Sequence, residues 1–275
     1  MNMVSMSISK EGERRRYLPL EIRIKMYEEV HELRKKGLTY KEVQERIYEK
    51  YGRRLSIAII GFWINKKKHP LGRVNKFDEN PSPEFTYIIG VISGDGCRYF
   101  YKRNYRLQLA VKDYEFAEKF GECLAKVLGR KRPYKPFWSK KLKQWIAQGY
   151  SFLLYKFLNK PLEELKPYIE HSKDTVSAFL KALFDAEGSI YVNEKHHVRE
   201  LKLYNTNVGL LNYAKYLLKK YFNIDATGPH FNKKTKTTKN CYYLYIRTNT
   251  LSNFYDYIGF TIKRKQQRLI KAIER

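Results

Sequence analysis

Residues 84–96 read EFTYIIGVISGDG, and 92 residues after the aspartate of this stretch the chain returns to the same arrangement, reading AFLKALFDAEGS over residues 178–189. Each copy is an apolar run of helical length with small residues on one face and an acid followed by glycine at its end. Internal repetition of this kind marks a fold built from two similar halves. Gly90, Ser93 and Gly94 in the first copy, and Ala182 and Ala186 in the second, allow two helices to meet backbone against backbone across a pseudo-twofold axis. Such packing sets Asp95 and Glu187 side by side. Carboxylates there face the negative ends of two helix dipoles and each other, an arrangement that divalent cations between them would relieve. Hard oxygen ligands favour magnesium over zinc.

The flanks repeat as well. After the first copy, alternation and helical periodicity predict strands over 97–102 and 104–111, a helix over 113–128, strands over 132–138 and 142–149, and a helix over 151–159. After the second copy the same order is predicted: strands 189–194 and 198–205, helix 208–222, strands 226–233 and 240–248, helix 249–257. Each half is therefore αββαββα. Alternate residues of 201–205 and 242–247 are apolar, which leaves Lys202, Tyr204, Tyr243, Tyr245 and Arg247 on the other face. In 105–111 the corresponding pair is Arg106 and Gln108. Arginine, lysine and glutamine read guanine or adenine edges, and a two-stranded ribbon fits a major groove. An ordinary half-solvated sheet has the same alternation, but it does not account for the charge of this chain.

The stretches IIGVISGDG (88–96) and LKALFDAEG (180–188) resemble the two motifs of the LAGLIDADG homing endonucleases, and the resemblance covers about residues 84–275. It implies an α+β fold, a pseudo-twofold tandem of αββαββα repeats whose curved antiparallel sheets form a DNA-binding saddle in one chain, so that a monomer suffices. It further implies hydrolysis of one phosphodiester in each strand of a long double-stranded DNA target, with Asp95 and Glu187 each holding Mg2+ (or Mn2+). Family members that cleave often carry a lysine near the scissile phosphate after the last helix of a repeat. Lys263, in GFTIKRKQ (259–266), is the matching position, and Lys173, in YIEHSKD (168–174), is its first-half counterpart. Where such enzymes often carry glutamine or lysine at the end of a repeat's second strand, this chain has Val111-Lys112 and Asn205-Thr206. The resemblance therefore leaves two readings: a homing endonuclease, archaeal in type and borne by an intron or other mobile element, and a non-cleaving DNA-binding regulator or RNA-splicing maturase that binds intron RNA.

Upstream, residues 1–68 read as a helix-turn-helix domain, 69–83 as a linker, 84–173 as the first repeat and 174–275 as the second. An apolar stripe through Ile22, Ile24, Met26, Val30 and Leu33 ends at Gly37. Thr39 and Glu42 form a capping-box pattern for a second helix with Val43 and Ile47 inward. Ser56 caps a third, with Ile57, Ile60, Trp63 and Ile64 as its buried side. In a tri-helical helix-turn-helix the last helix enters a major groove, with phosphate contacts expected from Arg53, Arg54, Lys66, Lys67 and Lys68. Three short helices with basic ends also occur in protein–protein modules. The segment HPLGRVNKFDENPSP (69–83) has no apolar period and reads as a linker or a strap on the next domain.

Lysine and arginine number 55 against 28 acidic residues, a formal net charge of +27. That excess exceeds what solubility requires and attracts phosphate. It is spread along the chain, with 19 basic and 11 acidic residues in 1–80 and 36 and 17 in the remainder. No window reaches the ~18 apolar residues of a membrane span, which makes a cytoplasmic, DNA-associated protein the expectation. Cys97, Cys123 and Cys241 support neither a disulfide framework nor a CxxC zinc site and are expected to be small core residues.

Overall fold

The computed structural model describes residues 18–72, 76–101, 104–233 and 240–274. Residues 1–17 of the expected N-terminal domain and 73–75 of the expected linker lie outside them. The chain divides into two units, Met1–Val74 and Asn75–Arg275, each with its own apolar core.

The N-terminal unit holds three helices, α1 (Leu20–Lys35), α2 (Tyr40–Tyr51) and α3 (Ile57–Ile64). Thr39 and Glu42 close the capping box, each side chain bonding the other residue's backbone N–H. Gly52 ends α2 in the left-handed region at φ 63°, a conformation that costs glycine nothing. Met26, Val30, Val43, Ile47, Ile60 and Trp63 form the core. Ile57 differs from expectation: it is 42% exposed, because as the first residue of α3 it lies one turn ahead of Ile60, where the core begins.

The second unit opens with a strap. Phe77 packs on Phe85 and Phe157 at ring-centroid distances of 5.8 and 5.7 Å, and the Asp78 N–H donates to the Val127 carbonyl. Then come α4 (Pro83–Ser93), β1 (Cys97–Tyr101), β2 (Asn104–Val111), α5 (Tyr114–Val127), β3 (Phe137–Ser139), β4 (Gln144–Tyr150), α6 (Phe152–Leu158) and α7 (Leu162–Ile169). The second repeat runs α8 (Lys173–Glu187), β5 (Gly188–Asn193), β6 (Val198–Asn205), α9 (Val208–Phe222), β7 (Ala226–Asn232), β8 (Cys241–Ile246), α10 (Leu251–Tyr257) and α11 (Lys263–Ile273). Both halves are αββαββα, as the repeat predicts, and each ends in an additional helix. Their four-stranded antiparallel sheets have matching orders, β1-β2-β4-β3 and β5-β6-β8-β7. The strand expected over 132–138 shrinks to Phe137–Ser139. Pro133 and Pro136 have no N–H to give a ladder, and Tyr134 lies instead against Gly121 of α5. Cys97 is exposed rather than in the core, across from Gln108 in the sheet; all three thiols are free.

The repeats join where α4 crosses α8. A Cβ on Gly90 would lie 2.5 Å from the Phe179 carbonyl oxygen and 2.8 Å from Ala182 Cβ, and one on Gly94 would lie 2.6 Å from Ala186 Cβ. Gly90, Gly94, Ala182 and Ala186, read from the sequence, are thus contact residues, while the Ser93 hydroxyl donates to the Ile89 carbonyl of its own helix. Thr86 adds a buried hydrogen bond across the pair, its hydroxyl donating to the Thr175 carbonyl at 2.8 Å. Gly90→Ala gains helix propensity of about 1 kcal/mol but forces a methyl into backbone. A net loss of about 1–3 kcal/mol is expected from this overpacking, read as a lower urea midpoint at unchanged slope.

Candidate metal and nucleic-acid site

The acid-glycine ending of each motif has a steric cause. A Cβ on Gly188 would meet the Phe184 carbonyl oxygen at 2.3 Å, and one on Gly96 the Val91 carbonyl oxygen at 2.8 Å. Only glycine lets the chain leave each helix tightly against its last turn. Glu187 is the final residue of α8, while Asp95 follows the Gly94 cap of α4. The position a Cβ would take on Gly94 is 3.3 Å from Glu187 Cγ, which brings the two acidic ends together.

Their electrostatics reflect that closeness. Burial and then the negative charge of Asp95 push the Glu187 carboxyl up to about 7, against the pull of Lys265. Partial burial also raises Asp95, again opposed by Lys265. Asp95 nonetheless remains exposed to solvent. The Asn205 amide donates to Glu187 Oε1 at 3.5 Å from the end of β6. Among the described residues no cluster of three or more His, Cys, Asp or Glu stands ready for a metal. The donor set is a carboxylate pair short of positive charge, exposed to solvent at Asp95. It fits a hard, partly hydrated cation and not a four-coordinate zinc.

Lys263 is exposed at the start of α11. The cation whose charge reaches both acids is Lys265, which is buried at 6% exposure and donates from Nζ to the carbonyls of Phe184 at 3.1 Å and Asp185 at 2.6 Å. Burial, partly offset by Asp185, lowers its pKa to about 8. Lys265 was visible in principle: extending the apolar spacing of Leu269 and Ala272 back through α11 puts it on the buried face. Lys173 begins α8, and Glu187 ends it. At 1.5 Å per residue the two lie roughly 20 Å apart along the axis, so Lys173 does not serve as the counterpart expected for it.

A second group absent from the sequence reading fixes this corner. Asp185 is 2% exposed and accepts hydrogen bonds from the N–H groups of Thr261 and Ile262, at 2.9 and 3.3 Å, and from the Tyr87 hydroxyl at 3.2 Å. Burial outweighs these donors and raises its pKa to about 6. Arg264 pairs with Asp113 through two bonds of 2.7 and 2.8 Å. The start of α11 is thereby held to α8 of one repeat and to the cap of α5 in the other.

On the first sheet, Arg106 and Gln108 share the half-buried face with Tyr99. Arg106 donates to the Tyr99 hydroxyl at 2.8 Å, and that hydroxyl donates to Gln108 Oε1 at 2.9 Å. On the second sheet, Lys202 pairs with Tyr245 and Tyr204 with Tyr243. Lys202 also bonds Glu200 at 2.7 Å, and its ammonium lies 5.3 Å from the Tyr243 ring. Arg247 departs from the alternation assumed for it, because β8 ends at Ile246 and Arg247 is exposed, leading into a 3-10 turn with its N–H on the Asp225 carbonyl. In the N-terminal unit Arg53, Arg54, Lys67 and Lys68 line one hollow, while Lys66 is exposed beside it at φ 53°.

Two similar αββαββα halves that bring one acid each to a shared helix crossing define a single-chain, two-motif protein. A family model described as a LAGLIDADG-like domain matches residues 174–259. The chain is 31% identical over 261 residues to the uncharacterized protein MJ0398 of Methanocaldococcus jannaschii, covering 89% of this chain and 92% of that protein. A solved structure of mesophilic variants of the homing endonuclease I-DmoI has the same fold, with TM-score 0.51 and 19% identity over 70% of this chain and 100% of that one. A structure of I-DmoI in complex with DNA and Ca gives TM-score 0.50 at 19% identity and the same coverage. The chain belongs to the LAGLIDADG family.

A carboxyl whose folded pKa lies above its unfolded value holds its proton more tightly when folded. The Glu187 contribution therefore favours folding less as pH rises from its ordinary 4.5 through about 7. In EDTA, Glu187→Gln is expected to be more stable than the parent at pH 8. The gain should be on the order of 1 kcal/mol once screening of the open site is discounted, and it should vanish near pH 4. Urea unfolding at the two pH values measures both.

Proposed function

We propose that the protein is a sequence-specific, divalent-metal-dependent DNA endonuclease that hydrolyses one phosphodiester in each strand of a long duplex site. The meeting of Asp95 and Glu187 at the C-terminal ends of α4 and α8 is the observation that carries this reading. Those two residues would hold Mg2+ or Mn2+; when bound, such ions supply charge for the attacking water and the leaving oxygen. The Ca and DNA of the I-DmoI complex agree with divalent metal and duplex as ligands of this fold. Asn205 steadies Glu187, and Lys265 offsets the negative end of α8 without displacing a cation from the solvent-exposed Asp95. Arg106, Gln108, Lys202, Tyr204, Tyr243 and Tyr245 would meet base edges and backbone. The N-terminal unit, read as a helix-turn-helix, would lengthen the site through Arg53, Arg54 and Lys66–Lys68 on phosphates. One chain carries both acids, so a monomer is sufficient. Among the described residues no helix is long and apolar enough to cross a membrane.

A non-cleaving regulator or splicing maturase is favoured by one observation: Lys265, the buried lysine whose charge reaches both acids, is committed to helix carbonyls. Incubating a randomised duplex library with the full chain and magnesium or manganese separates the two readings. Cuts at one long site are expected, falling roughly 10³-fold, about 4 kcal/mol of transition-state stabilisation, in Asp95→Asn and in Glu187→Gln. Equal cleavage by both variants would discard the assignment of the acids. Specific binding of duplex or intron RNA without cuts would move the protein to the second reading.

A further inference from the structure

Helix α3 presents an outward face unlike that of a guanine-reading helix. Ala58, Phe62 and Asn65 follow one another at helical spacing with Ile59 beside them, opposite the buried Ile60 and Trp63. Ile59 is 39% and Phe62 36% exposed, and none of the four side chains is charged. Basic groups flank this face at both ends, Arg53 and Arg54 before the helix and Lys66, Lys67 and Lys68 after it. Ile59 lines the same hollow as Arg53, Arg54, Lys67 and Lys68, and the Lys68 ammonium lies 4.4 Å from the centre of the Phe62 ring. Basic residues that precede and follow α3 thus lie beside its apolar side chains and share one hollow with Ile59.

Resting on the DNA-binding reading above, we infer that α3 selects an A·T-rich subsite, Ala58, Ile59 and Phe62 contacting thymine methyl groups and Asn65 bonding an adenine. The chemistry is selective because thymine alone offers a C5-methyl in that groove, while bidentate recognition of adenine at N6 and N7 suits an asparagine amide. Guanine readout draws on arginine or lysine, and none of these four side chains is either. The flanking cations fix register without reading sequence. An apolar face bordered by five positive residues suits a polyanion with methyl groups in its groove better than a neutral apolar partner.

The test uses the full chain in EDTA, so that no strand is cut. Duplexes retained from a randomised library are sequenced, and the best is resynthesised with deoxyuridine in place of thymidine, one block at a time, which removes the methyl and nothing else. One A·T-rich block is expected in which each replaced thymine weakens binding about fourfold, the worth of one buried methyl. That sensitivity should be lost in Ile59→Ala and Phe62→Ala. Both side chains are on the surface, and an unchanged thermal midpoint confirms that each variant folds. Equal binding of thymidine and deoxyuridine duplexes by the parent would overturn the inference while leaving DNA binding intact. So would a sensitivity that persists unchanged in both variants. Binding indifferent to every one of these changes would assign the α3 face to a protein partner instead. Failure to retain any duplex would remove the DNA-binding reading itself.

Discussion

At Gly90 and Gly94 the backbone of α4 lies against α8 so closely that a single methyl would overlap it, and the second unit is organised around that contact. The helices cross with their C-terminal ends together, so whatever residue ends each motif is delivered to the same place. Each helix is followed by a strand that turns back sharply, and glycine is required at both exits. The matching sheet orders follow from repeating one αββαββα unit on either side of the crossing. Larger side chains at the crossing would separate the sheets and the acids at once, which explains why the motif is conserved in shape within this chain even though its two copies differ in most letters.

The same contact creates an electrostatic problem. Two helix C-termini, each carrying about half a negative charge, adjoin two carboxylates. The protein answers only partly, and unequally. On α8 the Lys265 ammonium binds the carbonyls of Phe184 and Asp185. On α4 the exit is closed by backbone N–H groups, Gly94 to Gly90 and Gly96 to Val91. Burial first, and then the repulsion of Asp95, lifts the Glu187 carboxyl to about 7. Lys265 is itself buried at a cost that lowers its pKa to about 8, so a further cation from the protein would be still harder to place. A small ion entering from solvent beside Asp95 meets no such desolvation of a long side chain.

What could be read from the sequence was whatever obeys a steric or periodic rule. The small residues at 90, 94, 182 and 186 and the acid-glycine endings are demands of close packing, and the strands announced themselves by alternation. The capping box at Thr39 and Glu42 fixed the start of α2 to the residue. Charged residues doing buried work broke the rules used to read them. Lysine and aspartate ordinarily signal solvent, so Lys265 and Asp185 do not stand out in the sequence, although the spacing of Leu269 and Ala272 points to the first. Lys173 rests on matching 168–174 to the segment that carries Lys263, and such a match does not reveal that it starts the very helix that Glu187 ends. Arg247 was carried onto the sheet face by an alternation that stops one residue earlier. The helices α7 and α11 are short and amphipathic and lie beyond the αββαββα pattern, so nothing in the repeat announces them.

The polar faces of the sheets are not a loose array of donors awaiting a ligand. Arg106, Tyr99 and Gln108 form a relay, Lys202 is paired with Glu200, and Tyr204 and Tyr243 lie with ring centroids 5.6 Å apart. A duplex contacting these faces would have to exchange existing hydrogen bonds for bonds to base edges. With the right sequence the exchange is nearly even; with a wrong base, a partly buried donor or acceptor loses its old partner and finds no new one, which costs about 1–3 kcal/mol per group. In a duplex complex such preformed networks would add little to affinity, which a net charge of +27 would supply without regard to sequence, but they would penalise mismatches. On the DNA-binding reading, attraction and discrimination would thus be carried by different residues: lysines and arginines spread along the chain, and a few side chains already held by their neighbours.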